Sequence, residues 1–250
     1  MSRQDAKPPG SPATTLHRAC RLFVEAELAV DAEVALSPAQ AHQLASVLRQ
    51  APGDVLRLFN GRDGEWLATI ESLTRKAAVA RAGERLQPQP VEAEISLCFA
   101  PIKQSRLDWL VEKATELGAG RLVPVITRRT QVPRINRDRL RAIAIEAAEQ
   151  CERLTVPDID PAVPLERFLV GWPAGRPLVT CIERADAPLL RAAVPPPPFG
   201  ILIGPEGGFA PEEVAALLER VDVKPVSLGP RILRAETAGL AALAMCLGAA

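Results

Sequence analysis

Apolar positions follow two different rhythms along this chain of 250 residues. Up to about Leu86 the patterned stretches are short. Ser37-Pro38-Ala39-Gln40 opens a helix: Ser37 is a capping residue, Pro38 suits the first turn, and Gln40 completes a capping box. Leu44, Val47 and Leu48 follow on one helical face, and Pro52-Gly53 ends the helix. Val55 to Phe59 reads as a strand, Asn60-Gly61 as a turn, and Trp66 to Ile70 as the returning strand. Another short strand is expected near Ala77 to Ala80. Several strands and one helix in about 70 residues predict a small β-barrel. Arg85 to Pro90, with two prolines and few apolar positions, reads as a linker.

Past Val91 the rhythm changes to strands alternating with helices. Ile95 to Ala100 is a strand; Leu107, Leu110, Val111, Ala114 and Leu117 then recur at helical spacing, closed by Gly118. Leu122 to Thr127 is a strand, and Arg139 to Arg153 a helix with Leu140, Ile143, Ala147 and Cys151 inward. Leu178 to Ile182 and Ile201 to Gly204 are strands with a short helix near Leu189 between them, and Pro195 to Pro198 form a stiff surface connection. Pro211 to Arg220 is a helix whose Glu212 and Glu213 favour the positive end of its dipole. Pro225 to Leu228 and Thr237 to Leu247 close the chain as strand and helix. The alternation predicts an α/β domain with a mostly parallel sheet.

In open parallel sheets ligands bind beyond the carboxyl ends of the strands. Three unusual segments fall there: Thr127-Arg128-Arg129-Thr130, the run Gly204-Pro205-Glu206-Gly207-Gly208-Phe209, and the run from Leu228 to Thr237. The glycines do not form a GxGxxG fingerprint, and no GxxxxGK[ST] loop occurs, which disfavours a dinucleotide or P-loop site. The second segment instead offers backbone able to approach a flat ligand. The third places apolar Ile232 and Leu233 beside charged Arg234 and Glu236. Jointly, the three favour a nucleoside-type cofactor.

Composition narrows the classes. Lys plus Arg equal Asp plus Glu at 30 each, so net charge is silent about partners. Local charge says more: seven arginines lie from Arg121 to Arg141 against the single acid Asp138, which suits either a solvated face or a phosphate-holding segment. Five scattered cysteines and two histidines disfavour a metal centre and fit reduced thiols in a cytoplasmic protein. No apolar run reaches the ~20 residues of a membrane span. Residues 1–15, polar and rich in Pro and Gly, read as a disordered tail.

The runs Ile201 to Phe209 (ILIGPEGGF) and Leu228 to Ala238 (LGPRILRAETA) closely resemble the signature loops of the RsmE family, 16S ribosomal RNA uridine-N3 methyltransferases of the knotted SPOUT superfamily. The similarity extends to Lys103-Gln104-Ser105-Arg106, to Glu112, Lys113, Glu116, Leu117 and Gly118, to Glu149-Gln150-Cys151 with Arg153, and to His42 through Arg49. It covers the chain from about Arg18 to the C-terminus, and the pair of loops is highly specific. The resemblance implies a PUA-like RNA-binding barrel over 16–86, followed over 91–250 by an α/β domain whose C-terminal segment forms a trefoil knot. It implies a homodimer, S-adenosylmethionine as cofactor, no metal, and 16S rRNA of the small ribosomal subunit as partner. Gly204, Pro205, Glu206, Gly207, Gly208, Leu228, Gly229, Ile232, Leu233 and Thr237 would hold the cofactor. The family usually reads Thr-Glu-Arg-Ser after the second strand of the α/β domain; here Arg128 stands at the acidic position.

Methylation at uridine N3 requires loss of a weakly acidic imide proton, and most of the catalysis is positioning. Arg129 and Arg234 are the candidates for stabilising the anion at the uracil oxygens. Glu149 and Glu236 are the carboxylates for accepting the proton or, the favoured role, anchoring an arginine. Arg18, Arg21, His42, Arg49, Lys103, Arg106 and Arg128 are expected on the RNA side. Trp109 is expected in core or dimer packing. Two other readings stay open: a SPOUT enzyme with another RNA target, and a catalytically silent RNA-binding or assembly factor.

Overall fold

The computed structural model describes residues 19–132, 134–182 and 187–247. Arg18 and the tail over 1–15 lie outside the described residues. The chain divides into two compact units between Pro90 and Val91.

The first unit is built on strands β1 (Cys20–Phe23) and β2 (Glu33–Leu36), helix α1 (Pro38–His42), and strands β3 (Val55–Phe59), β4 (Glu65–Leu73) and β5 (Ala78–Gln87). They form a five-stranded sheet in the order β1-β3-β4-β5-β2, parallel only between β1 and β3. Alternate residues point to one face, so Leu22, Leu56, Leu58, Ile70 and Ala80 make a single core with Ala41 and Leu44. The capping box is present: the Gln40 N–H donates to Ser37 Oγ at 3.2 Å, and the Ser37 N–H to Gln40 Oε1 at 2.9 Å. The helix then loosens into a π-turn over Gln43–Val47, with the Leu48 N–H bonded to the Gln43 carbonyl. That extra residue rotates the apolar stripe outward. Leu44 is buried, whereas Val47 and Leu48 are 67% and 41% exposed, against the expected common face. The expected linker also begins later, because β5 runs to Gln87 and pairs Arg85 with Trp66 and Gln87 with Glu65. Ladder pairing overrides the polar composition there.

The second unit comprises β6 (Ile95–Phe99), α2 (Gln104–Glu116), β7 (Arg121–Ile126), α3 (Arg137–Gln150), β8 (Asp158–Ile159), β9 (Val163–Pro164), α4 (Leu165–Gly171), β10 (Leu178–Cys181), β11 (Phe199–Ile203), α5 (Pro211–Leu218), β12 (Val223–Val226) and α6 (Ala235–Leu247). Six strands run in the order β12-β10-β11-β6-β7-β8, with β9 on β7, and every pairing is parallel. Such a sheet must be covered on both faces. Leu97 and Phe99 join α2, α3 and α6 in one core, while Cys98, between them, joins α4 and α5 in the other. After edge strand β12 the chain returns to the middle of the sheet, where α6 packs on β6, β11 and α2.

One side-chain expectation changes and another narrows. α3 buries Leu140, Ala144, Ala147 and Ala148, and Ile143 packs partly buried on the core; Cys151 is exposed, because the helix stops at Gln150 and Cys151 is its cap. Trp109 is 44% exposed on α2 and takes no part in the core. Strands β8 and β9, two residues each, carry no periodicity to read.

Candidate functional site

Because every strand of the second sheet points the same way, the turns after β7, β10, β11 and β12 all leave one edge. Three of these are the segments singled out above. The turn after β7 is tight: the Thr127 N–H donates to Thr130 Oγ1 at 2.9 Å, and the Thr130 N–H to the Thr127 carbonyl at 3.1 Å. The turn after β11 closes by the Gly208 N–H donating to the Pro205 carbonyl at 2.8 Å, with Gly208 at φ +68°. The turn after β12 holds Gly229 at φ +118°, its N–H donating to Ser227 Oγ at 3.2 Å; only glycine adopts that backbone without strain.

Together they enclose a cavity of about 470 Å³ at the carboxyl ends of the strands, within the roughly 300–1,000 Å³ of small-molecule sites. Gly204 to Phe209 and Ser227 to Leu233 line it, together with Arg129, Cys181 and Ile182. Of the residues expected to hold a cofactor, all but Thr237 are in this lining; Thr237 is exposed on the first turn of α6. Gly204 and Gly207 serve differently from expectation. A Cβ on Gly204 would stand 3.0 Å from the Phe209 ring, and one on Gly207 3.4 Å from Arg129 Cδ. The room they leave is filled by the protein's own side chains. The apolar wall comes from Leu228, Ile232 and Leu233, and Ile232 remains 65% exposed. An apolar wall beside loop backbone suits a purine, and Glu206 and Arg231 suit the charged end of an amino-acid moiety, so the residues present fit S-adenosylmethionine.

The charged residues sort by distance. Arg129 donates from Nη1 to the Gly207 carbonyl at 2.6 Å and forms part of the wall. Arg106 lies between two carboxylates, 3.7 Å from Glu206 and 3.6 Å from Glu236. Glu236 is buried, and its Oε2 has no hydrogen-bond partner among the described residues. Arg234 is exposed, outside the lining, and its carbonyl accepts the Ala238 N–H. Lys103 is exposed at the start of α2. Arg128 pairs with Glu212 at 3.0 Å, both side chains exposed. Glu149 is half-buried on α3, away from this cavity's lining. Cys181 sits in the wall as a thiol pushed up to about 12 by burial.

In the first unit His42 and Arg49 are exposed. Arg21 is a correction: it is 7% exposed, donates to Glu65 Oε1 at 2.6 Å and stacks 4.5 Å over Phe59. Glu65 also accepts from Arg57 at 2.8 Å, so this arginine is committed to neutralising a buried carboxylate and has no face for RNA. The basic run from Arg121 to Arg141 is likewise divided, since β7 carries its middle to the edge of the sheet opposite its two ends. Arg128 and Arg129 reach the carboxyl edge; Arg121, Arg137 and Arg141 line a separate cavity at the amino edge; Arg139 bonds Asp108 at 2.7 Å. Its Arg139 partner holds the Asp108 carboxyl below the usual carboxylate range.

Sequence reasoning gave Glu213 a role in its own helix alone and missed its tie to the turn after β7: buried on α5, its carboxylate accepts the Arg128 N–H at 2.8 Å and the Ala210 N–H at 2.8 Å. It also missed Cys181 and Ile182, for which the rule about parallel strand ends was the available signal. Among the described residues no group of three His, Cys, Asp or Glu is placed to hold a metal, and no helix is long and apolar enough to cross a membrane.

The chain matches two families: the RNA methyltransferase domain over residues 88–247, and the RNA methyltransferase PUA domain over residues 36–82. It is 36% identical to the ribosomal RNA small subunit methyltransferase E of Rickettsia conorii over 90% of this chain and 93% of that one. It is 34% identical to the protein of the same name from Synechocystis over 90% and 76%. The solved methyltransferase E of Neisseria gonorrhoeae, bound to S-adenosyl methionine, superposes with a TM-score of 0.81 at 30% identity, covering 90% of this chain and 95% of that one.

Proposed function

The chain belongs to the ribosomal RNA small subunit methyltransferase E family, and from that premise we propose that it methylates N3 of a uridine in the 16S rRNA of the small ribosomal subunit. The observation that carries this reading is the meeting of Arg129 with the Gly204–Phe209 and Leu228–Leu233 loops around one cavity at the carboxyl edge. S-adenosylmethionine supplies an electrophilic methyl group there.

The remaining work falls to side chains around that wall. The Arg129 guanidinium, fixed by its bond to Gly207, offers positive charge to the uracil oxygens as the imide proton passes to solvent water, and exposed Arg234 is the second such donor. Glu236 is reserved for Arg106, which it anchors. Lys103, Arg106 and Arg128 bind phosphate on this unit, and His42 and Arg49 meet RNA on the first, with little sequence discrimination of their own.

Three further features belong to the same reading. The return of α6 from edge strand β12 to the centre of the sheet is the segment we assign to the trefoil knot. The protein acts as a homodimer. In support, α6 is apolar on nearly every side yet leaves Ala244, Met245 and Leu247 exposed, and α2, packed against it, leaves Trp109 exposed. Its place is the cytoplasm, in keeping with five free thiols.

The test is methyl transfer from labelled S-adenosylmethionine to small subunits lacking the modification, followed by nucleoside analysis. N3-methyluridine is the expected product. Cofactor binding without that product overturns the assigned position, and absence of both overturns the enzyme.

A further inference from the structure

Glu213 is 4% exposed, and a carboxylate that deep is stable only when its oxygens are bonded. Each oxygen has its own donor. Oε2 accepts the Ala210 N–H at 2.8 Å, the ordinary way in which a third-position glutamate closes a helix start. Oε1 accepts the Arg128 N–H, also at 2.8 Å, from a residue 85 positions earlier. The helix has no need of that second bond. What it joins is the turn after β7 to the turn after β11.

A second tie lies one residue along. Arg129 Nη1 donates to the Gly207 carbonyl at 2.6 Å, and the Arg129 stem fills the space that a Gly207 side chain would take. Residues 128 and 129 are therefore fastened at two points, one through the backbone to Glu213, which also holds Ala210, and one through the side chain to Gly207. Arg129, Gly207, Gly208 and Phe209 all line the cavity, whereas Glu213 does not touch it.

We propose that Glu213 is a positioning residue that clamps these two turns together and so holds one wall of the cofactor cavity in its binding geometry. This rests on reading the cavity as the S-adenosylmethionine site. Charge-assisted bonds of this length are stronger than neutral ones, and a wall fixed before binding spares the ligand the cost of ordering it.

The test compares Glu213→Gln with Glu212→Gln, its exposed neighbour, in the full-length protein. In the wild type, amide hydrogen exchange at Arg128 should be slow although the residue lies in an exposed turn. Glu213→Gln, which keeps one acceptor and replaces the other by a donor, speeds exchange at Arg128 and Ala210. It weakens S-adenosylmethionine binding about tenfold, the loss expected for one bond to a charged group. The KM for the cofactor rises in step, and kcat at saturation changes less than about threefold, the split that separates positioning from catalysis. Glu212→Gln does neither. Fast exchange at Arg128 in the wild type, or unchanged exchange in Glu213→Gln, overturns the clamp without reference to any ligand. Unchanged cofactor affinity in Glu213→Gln, while the wild type binds, overturns its role at the cavity. A wild-type protein that binds no S-adenosylmethionine overturns the proposed function and the cofactor part of this inference, and the exchange rates still decide the clamp.

Discussion

The parallel sheet carries a cavity at each of its edges, and arginines line both. At the amino edge Arg121, Arg137, Arg153 and Arg176 surround about 690 Å³; at the carboxyl edge Arg129 and Arg231 border about 470 Å³. Size alone would favour the first. Its arginines, however, are already engaged. Arg153 donates to Glu92, Thr155 and the carbonyls of Thr115 and Ala119; Arg137 to the Ile159 carbonyl; Arg121 to Asp160; Arg176 to the Glu94 carbonyl. At the carboxyl edge the wall is loop backbone, an exposed Ile232 and the buried but half-bonded Glu236 close by. A cavity becomes a site through the groups it leaves available.

Substitutions at the two edges should therefore fail in different ways. The largest effect is expected at the amino edge. Arg153→Ala strands Glu92 and two carbonyls, and should lower unfolding free energy by about 3 kcal/mol in a urea titration, while cofactor affinity of the folded protein stays unchanged. A drop in affinity without loss of stability would move the functional site to that edge. Next comes Arg129→Ala, which releases the Gly207 carbonyl at an exposed position. Methyl transfer should fall about 100-fold, near 2.7 kcal/mol, with the thermal midpoint almost unmoved; full activity would remove Arg129 from the mechanism.

Two buried thiols, Cys181 in the cavity wall and Cys98 in the core under α4 and α5, make stability depend on pH. Burial pushes Cys181 up to about 12 from an ordinary 9.0, and pushes Cys98 up as well. The unfolded chain releases these protons near pH 9 and the folded chain does not, so the unfolded state binds fewer protons and stability falls as pH rises above 9. Each thiol contributes no more than about 1.4 kcal/mol per pH unit. Thermal midpoints from pH 8 to 11 should decline, and less so in Cys181→Ala. At pH 8, iodoacetamide should label exposed Cys151 well before Cys181. Equal labelling would show that the cavity wall is open. The smallest effect is expected for Arg121→Ala, whose half-exposed pair with Asp160 should cost under about 1 kcal/mol in the same titration.

The alternation past Val91, the box at Ser37-Gln40, and the two signature loops were all legible along the chain because each depends on residues within one or two turns of each other. Helical spacing marked α2, and Gly118 marked its end. Departures came where distant contacts decide. The π-turn turned Val47 and Leu48 outward; pairing with β4 drew Arg85 and Gln87 into a strand; a carboxylate across the sheet claimed Arg21.

The local chemistry of this protein was thus set by its sequence: which loops are glycine-rich, which helices are amphipathic, and which strand ends carry charge. Tertiary structure alone decided which charges remain available. One run from Arg121 to Arg141 became two edges of a sheet, most of it bound in ion pairs and carbonyl bonds, with Arg129 in the cavity wall and Arg128 held by the acidic side chains of α5. The physical reason is that a guanidinium or carboxylate takes its role from partners within about 3 Å, and for Glu213 that partner lies 85 residues away.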